Sequence, residues 1–190
     1  MFHTINKWIT LFAVWLDERI QRCSLLNIPV YPWKVYATVT YAHFLLAILL
    51  FLSGVACFCL GVTYSAMYSE SNCTNGINIW IPLLNVIVAF NGLLSYNLVY
   101  RHWPSFVHFV GLCVVSFLLI IPSVYNIIAA NQWFIWAQQP LDQWAGDFAL
   151  IDISLAVVSF LNEIMVVLLI AFLLRYLYCS KEIFRANQNA

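Results

Sequence analysis

Between Lys34 and Arg175 the chain carries one basic residue, Arg101, and the stretches on either side of it are apolar runs long enough to cross a bilayer. Each crossing of a ~30 Å hydrocarbon core takes up about 20 helical residues. A chain of 190 residues arranged in this way has no room for a separate soluble domain. The composition agrees: 64% of residues are hydrophobic and 8% charged, against roughly 25% charged in a soluble globular domain. The pattern predicts an all-α polytopic membrane protein, a four-transmembrane-helix bundle with spans over about 35–62, 77–100, 104–129 and 148–174.

The basic residues all fall on one side of these spans. Lys7, Arg19, Arg22 and Lys34 precede the first, Arg101 lies between the second and third, and Arg175, Lys181 and Arg185 follow the fourth. Lysine and arginine resist translocation, so loops that keep them stay cytosolic. Both termini are therefore expected in the cytosol, in the plasma membrane or the endomembrane system, with residues 65–76 and 131–147 on the opposite side. The turn at Arg101, His102 and Trp103 is so short that spans two and three are antiparallel neighbours. In the second outer loop, Trp133, Trp136 and Trp144 among polar groups read as headgroup anchors, or as a protein-binding cap. The cytosolic segment 1–34 holds an apolar core from Trp8 to Leu16, too short to span. Ile5, Trp8, Ile9, Phe12, Leu16 and Ile20 follow helical spacing, which predicts an N-terminal interfacial amphipathic helix or a helix packed on the inner ends of the spans. Pro29 and Pro32 are expected to break helix before the first span, and 179–190 form a cytosolic tail.

Polar residues inside the spans are the candidates for function, because each is costly in hydrocarbon unless paired. On span four, Asp152, Ala156, Ser159 and Glu163 share one helix face, with Asn162 beside it. Glu163 lies near mid-membrane. On span one, His43, Ala47, Leu50, Gly54, Cys57 and Gly61 form a row of mostly small residues, the signature of a helix-packing seam; Gly111 on span three and Ser159 on span four extend it. Span two carries Asn85, Asn91, Gly92 and Ser95, and span three sets His108, Pro122 and Asn126 on one face, where Pro122 is expected to bend the helix. Counting from the outer ends places Asn91 and Glu163 within about 1.5 Å in height, and His43 about 5 Å nearer the cytosol. The intramembrane cluster Glu163, Asn162, Asp152, Asn91 and His43 then reads as a buried hydrogen-bond clamp or as a proton-linked site. For a clamp alone, Glu163→Gln would leave association with partners intact; for a carrier it would abolish transport.

Catalytic signals are absent. There is no Gly-rich phosphate loop, paired-Cys motif or HExxH, and His3, His43, His102 and His108 lack metal-ligand spacing. Ser105 with His102 and His108 is ordinary for a headgroup-level turn, with an edge nucleophile and base as the alternative. No cofactor or metal is expected, and a formal net charge of zero with scattered basic residues gives no nucleic-acid surface. Cys73 is the one cysteine in an outer loop, so a disulfide within the loops is excluded by count, leaving an isolated thiol or a pairing between chains. Asn72, Cys73 and Thr74 form a glycosylation sequon on the predicted outer face. Cys23 and Cys179 flank membrane segments and are palmitoylation candidates.

The plan of cytosolic ends, two outer loops and one short inner turn over residues 35–178 resembles tetraspan four-helix membrane proteins in the broad, MARVEL-like sense. A tetraspanin proper carries Cys-Cys-Gly in a large second outer loop, whereas residues 131–147 hold no cysteine. Claudin-like proteins carry a tryptophan and a cysteine pair in the first outer loop, where this chain has Cys73 alone. The resemblance implies fold and topology and carries no catalytic or ligand-binding residue. The function expected is that of a non-enzymatic tetraspan organiser or accessory subunit, packing laterally against membrane lipids, other membrane proteins or its own copies. The alternative is a small proton- or ion-coupled carrier or channel subunit built on Glu163, His43 and Asn91.

Overall fold

Helices in lipid gain little by burying hydrocarbon against hydrocarbon, so close backbone approach and interhelical hydrogen bonds decide how they associate. The computed structural model describes residues 10–11, 14–15, 29–63, 72–98, 102–137 and 145–178. Among them four helices are long and apolar enough to cross a membrane. They are α1, Val30–Thr63; α2, Ile77–Asn97; α3, Trp103–Ala137; and α4, Ala145–Tyr178. A 3₁₀ turn, Asn72–Asn75, precedes α2, and no strand occurs among the described residues. Each helix packs on its neighbour in sequence, and α4 closes the ring on α1.

Burial recurs at alternating steps of four and three residues. On α1 it falls on Tyr36, Thr40, His43, Ala47, Leu50, Gly54, Cys57 and Gly61, so the row of small and polar residues expected to form a seam is the buried face. On α3 it runs through Ser105, His108, Leu112, Val115, Leu119 and Asn126, and on α4 through Asp152, Leu155, Ser159, Asn162, Val166, Leu169 and Leu173. This 3.5-residue period belongs to helices lying nearly side by side with a left-handed crossing. Gly111 belongs to the same packing, because a Cβ there would lie 2.8 Å from a Val88 methyl.

Several boundaries differ from the sequence expectation. α1 begins at Val30 and runs through Pro32, which sits in its first turn, where a backbone N–H has no intrahelical acceptor and its loss is harmless. α3 continues to Ala137, so residues 131–137 are helix and not loop. Continued helix keeps backbone groups hydrogen-bonded at a depth where lipid offers no partners. Trp133 consequently turns inward: it is buried and packs on Phe148 with ring centroids 5.4 Å apart, where a headgroup anchor was expected. α2 starts after Gly76, at φ 73°, a left-handed backbone that suits glycine; its carbonyl accepts from the N–H groups of Ile79 and Trp80, both at 3.0 Å. Residues 10–11 and 14–15 are helical and exposed. The rest of the expected interfacial helix, together with Cys23, Cys179 and Trp144, lies outside the described residues.

Candidate functional site

At the centre of the bundle one chain of hydrogen bonds crosses three helices. His43 on α1 donates from Nε2 to the Asn85 side-chain oxygen on α2, 2.9 Å. The Asn85 amide donates to the Asn162 oxygen on α4, 2.9 Å, and the Asn162 amide donates to the Leu46 carbonyl back on α1, 3.1 Å, as well as to Val158 on its own helix, 3.0 Å. His43, Asn85 and Asn162 are fully buried. Every link is neutral, and each asparagine both gives and receives, which satisfies amides that would otherwise be orphaned in hydrocarbon.

Asn91 and Glu163 stand outside this chain, contrary to the expected clamp of Glu163 with Asn91. Asn91 donates to the Ile87 carbonyl of its own helix, 3.0 Å, and the amide of α2 that reaches α4 is Asn85, which meets Asn162 and not Glu163. The depth count failed because the outer ends are not level: Asn85, 8 residues after Ile77 (85 − 77), meets Asn162, 17 residues after Ala145 (162 − 145). Six residues separate Asn85 from Asn91, about 240° of helical rotation, which turns the second away from the centre when the first faces it.

Towards the Gly76 end of the bundle two further contacts tie α1 and α3 to α2. Asn78 and Asn126 exchange amide hydrogen bonds of 3.1 and 3.0 Å. A Cβ on Gly54 would collide with the Asn78 carbonyl. That carbonyl would ordinarily accept from the N–H of residue 82, but position 82 is proline, so an acceptor is freed and glycine lets the α1 backbone close over it. On the other half of the bundle His108 donates from Nδ1 to the Val88 carbonyl, 3.0 Å, beneath Gly92, where a Cβ would lie 2.7 Å from the His108 ring. His108 is thereby committed to α2, and among the described residues no hydrogen bond joins Ser105 to either His102 or His108. The edge nucleophile and base are not assembled.

Cys73 is neither isolated nor paired between chains. It forms a disulfide with Cys57 of α1, Cα atoms 5.0 Å apart. A count of loop cysteines alone missed it, because the partner lies on the buried face of a span and the 3₁₀ turn folds inward to meet it. The Asp152 carboxylate sits beside this bridge, with ligating atoms of all three residues within 4.8 Å of one another. Disulfide sulfurs lack the thiolate charge that holds a metal, so the cluster in this form is not a metal centre. Trp133 hydrogen-bonds to the Asp152 side chain, and the second Asp152 oxygen is buried without a partner. Asn72 opens the adjoining 3₁₀ turn.

At the other end, aromatic contacts also join the helices. Trp33 stacks on Tyr96 at 5.1 Å and Tyr36 on Phe172 at 5.2 Å, joining α1 to α2 and to α4. A groove of about 500 Å³ opens between α1 and α4, walled by Val35, Val39, Leu168 and Phe172, with Arg175 and Tyr176 at its rim.

Glu163 is the anomaly. It lies midway along α4, one residue after Asn162, and is only half-buried. Its Oε2 atom is enclosed with no hydrogen-bond partner. Lys34 and Arg175 lie near one end of α1 and of α4, and no lysine or arginine lies between Lys34 and Arg101 or between Arg101 and Arg175, so none stands at the depth of Glu163 to pair with it.

The chain matches no protein-family model, and neither the curated proteins nor the solved structures contain a significant match to it.

Proposed function

We propose that this membrane protein is a non-enzymatic organiser or accessory subunit, a tetraspan that packs laterally against membrane partners in assembly, trafficking or membrane-domain formation. The observation that carries this reading is the closed chain His43–Asn85–Asn162–Leu46. It commits the polar interior to holding the helices in one arrangement and leaves the lateral surface as the working face. That surface is apolar along every span, with side chains such as Leu45, Phe117, Ile127 and Phe160 projecting outward.

On this reading both termini lie in the cytosol, and the chain resides in the plasma membrane or an endomembrane. The disulfide supports this, since such bonds persist on the oxidising side of a membrane, and it lies at the end of the bundle away from Val30 and Tyr178. The carrier reading requires Glu163, His43 and Asn91 to share a site. It is weakened because His43 is held by Asn85 and Asn91 by its own helix.

The test is affinity purification of the tagged chain in mild detergent, followed by mass spectrometry. A membrane protein recovered in stoichiometric amount is the expected result. Recovery of the chain alone, or only as its own oligomer, would overturn the accessory reading and send the purified protein to a liposome proton-flux assay.

A further inference from the structure

We infer that Glu163 is the contact point for a transmembrane helix of another protein that carries a lysine or arginine at mid-membrane depth. The inference rests on the accessory reading and names the chemistry of the partner.

A carboxylate at the centre of a bilayer is tolerated when it is paired, hydrogen-bonded or facing water. Among the described residues no partner meets the enclosed Oε2 atom of Glu163. Its neighbour Asn162 has both amide hydrogens engaged by the Leu46 and Val158 carbonyls while its oxygen accepts from Asn85, so it has no donor left for a carboxylate. The other intramembrane acid, Asp152, is buried against the opposite end of α4 beside Trp133 and the disulfide. The two histidines within the spans, His43 and His108, are committed to Asn85 and Val88.

The surroundings of Glu163 suit a helix. Ile153, Phe160, Val167 and Leu174 are exposed and recur at intervals of seven, with Glu163 three residues after Phe160 and four before Val167. That is the alternation of four and three that packs α1, α3 and α4 inside the bundle, so a further helix can dock on this line by the same geometry. Charge complementarity then selects the occupant. A second copy of this chain has no lysine or arginine in the middle of a span, Lys34 and Arg175 lying near helix ends, and would set carboxyl against carboxyl or hydrocarbon at the depth of Glu163. A helix with a central lysine or arginine supplies the counter-charge where low dielectric makes the pairing strong.

The experiment uses the purified full chain, fluorescently labelled at its C-terminal tag, in phosphatidylcholine vesicles. Donor-labelled Leu-rich transmembrane peptides with a single central Lys, Leu or Glu serve as probes, and association is read by energy transfer. The Lys peptide is expected to bind the wild-type chain at least tenfold more tightly than the Leu peptide. Glu163→Gln should bring the two peptides level, and Glu163→Lys should transfer the preference to the Glu peptide. That reversal of preference separates a contact at this position from a general loss of binding. Equal binding of Lys and Leu peptides to the wild type, a Lys preference that survives Glu163→Gln, or self-association alone would each overturn the inference. The two readings fail separately: a cellular partner retained equally by Glu163→Gln overturns this contact and leaves the accessory role, whereas a Lys-peptide preference with no cellular partner supports the contact and removes the role.

Discussion

Asn85 shows why a single amide can matter more than its neighbours in a bundle whose interior mixes small and polar residues with hydrocarbon. It accepts from His43 and donates to Asn162, each at 2.9 Å, so its removal breaks two bonds and strands two buried polar groups. Interhelical hydrogen bonds in membranes contribute roughly 0.6 kcal/mol on average, while a buried group left unpaired costs about 1–3 kcal/mol. Asn85→Leu is expected to lower stability by about 1–3 kcal/mol in a denaturant titration of the purified protein in mild detergent. Asn91→Leu, which removes only a bond to its own helix, should fall well below that. Equal losses from the two variants would refute the central role of Asn85.

At the scale of elements, the helices are held by devices that differ from end to end. Asparagine pairing and the close approach of Gly54 to the Asn78 carbonyl tie α3 and α1 to α2 near Gly76, while aromatic stacking joins α1, α2 and α4 at the far end. The Cys57–Cys73 bridge adds a covalent restraint between α1 and the 3₁₀ turn over a sequence separation of 16. Closing a loop of this size stabilises by about 3 kcal/mol through the entropy of the unfolded chain. The variant combining Cys57→Ser with Cys73→Ser should lose an amount of that order, and reductant should destabilise the wild type comparably. A wild type indifferent to reductant under denaturing titration, with the variant equally stable, would show that the bridge does not constrain the fold. Cys59, exposed, and Cys113, half-buried, are free and remain available as labelling sites.

For the whole molecule, the ring of four helices puts the two ends of the described bundle, Val30 and Tyr178, on the same side, with the Cys57–Cys73 bridge on the other. Seven of the eight lysines and arginines lie with the chain ends, and Arg101 lies between the second and third spans. Epitope tags at either terminus should therefore be reached by antibody only after the plasma membrane is selectively permeabilised, and a thiol introduced at Thr74 should be reached from the other side. Staining of either terminus in intact cells would reverse the proposed orientation.

Hydropathy and length alone decide the number of spans, because hydrocarbon thickness sets how many apolar residues a crossing consumes. The inward face of α1 was also legible. In lipid the usual rule inverts, and the small and polar residues from His43 to Gly61 mark the interior while uniformly apolar flanks carry no signal. The partners of those residues were not legible. Asn85 rather than Asn91 meets Asn162 because the outer ends of α2 and α4 are not level and rotation turns Asn91 away, and Cys73 meets Cys57 because the 3₁₀ turn folds onto the buried face. Trp133 turns inward because α3 outlasts its apolar run. Relative height and rotation are settled only when the backbones interlock, since neighbouring helices can slide and turn past one another without changing how much hydrocarbon they bury. Close packing at glycine and satisfaction of buried amides select one arrangement, and that same selection leaves Glu163 without a partner.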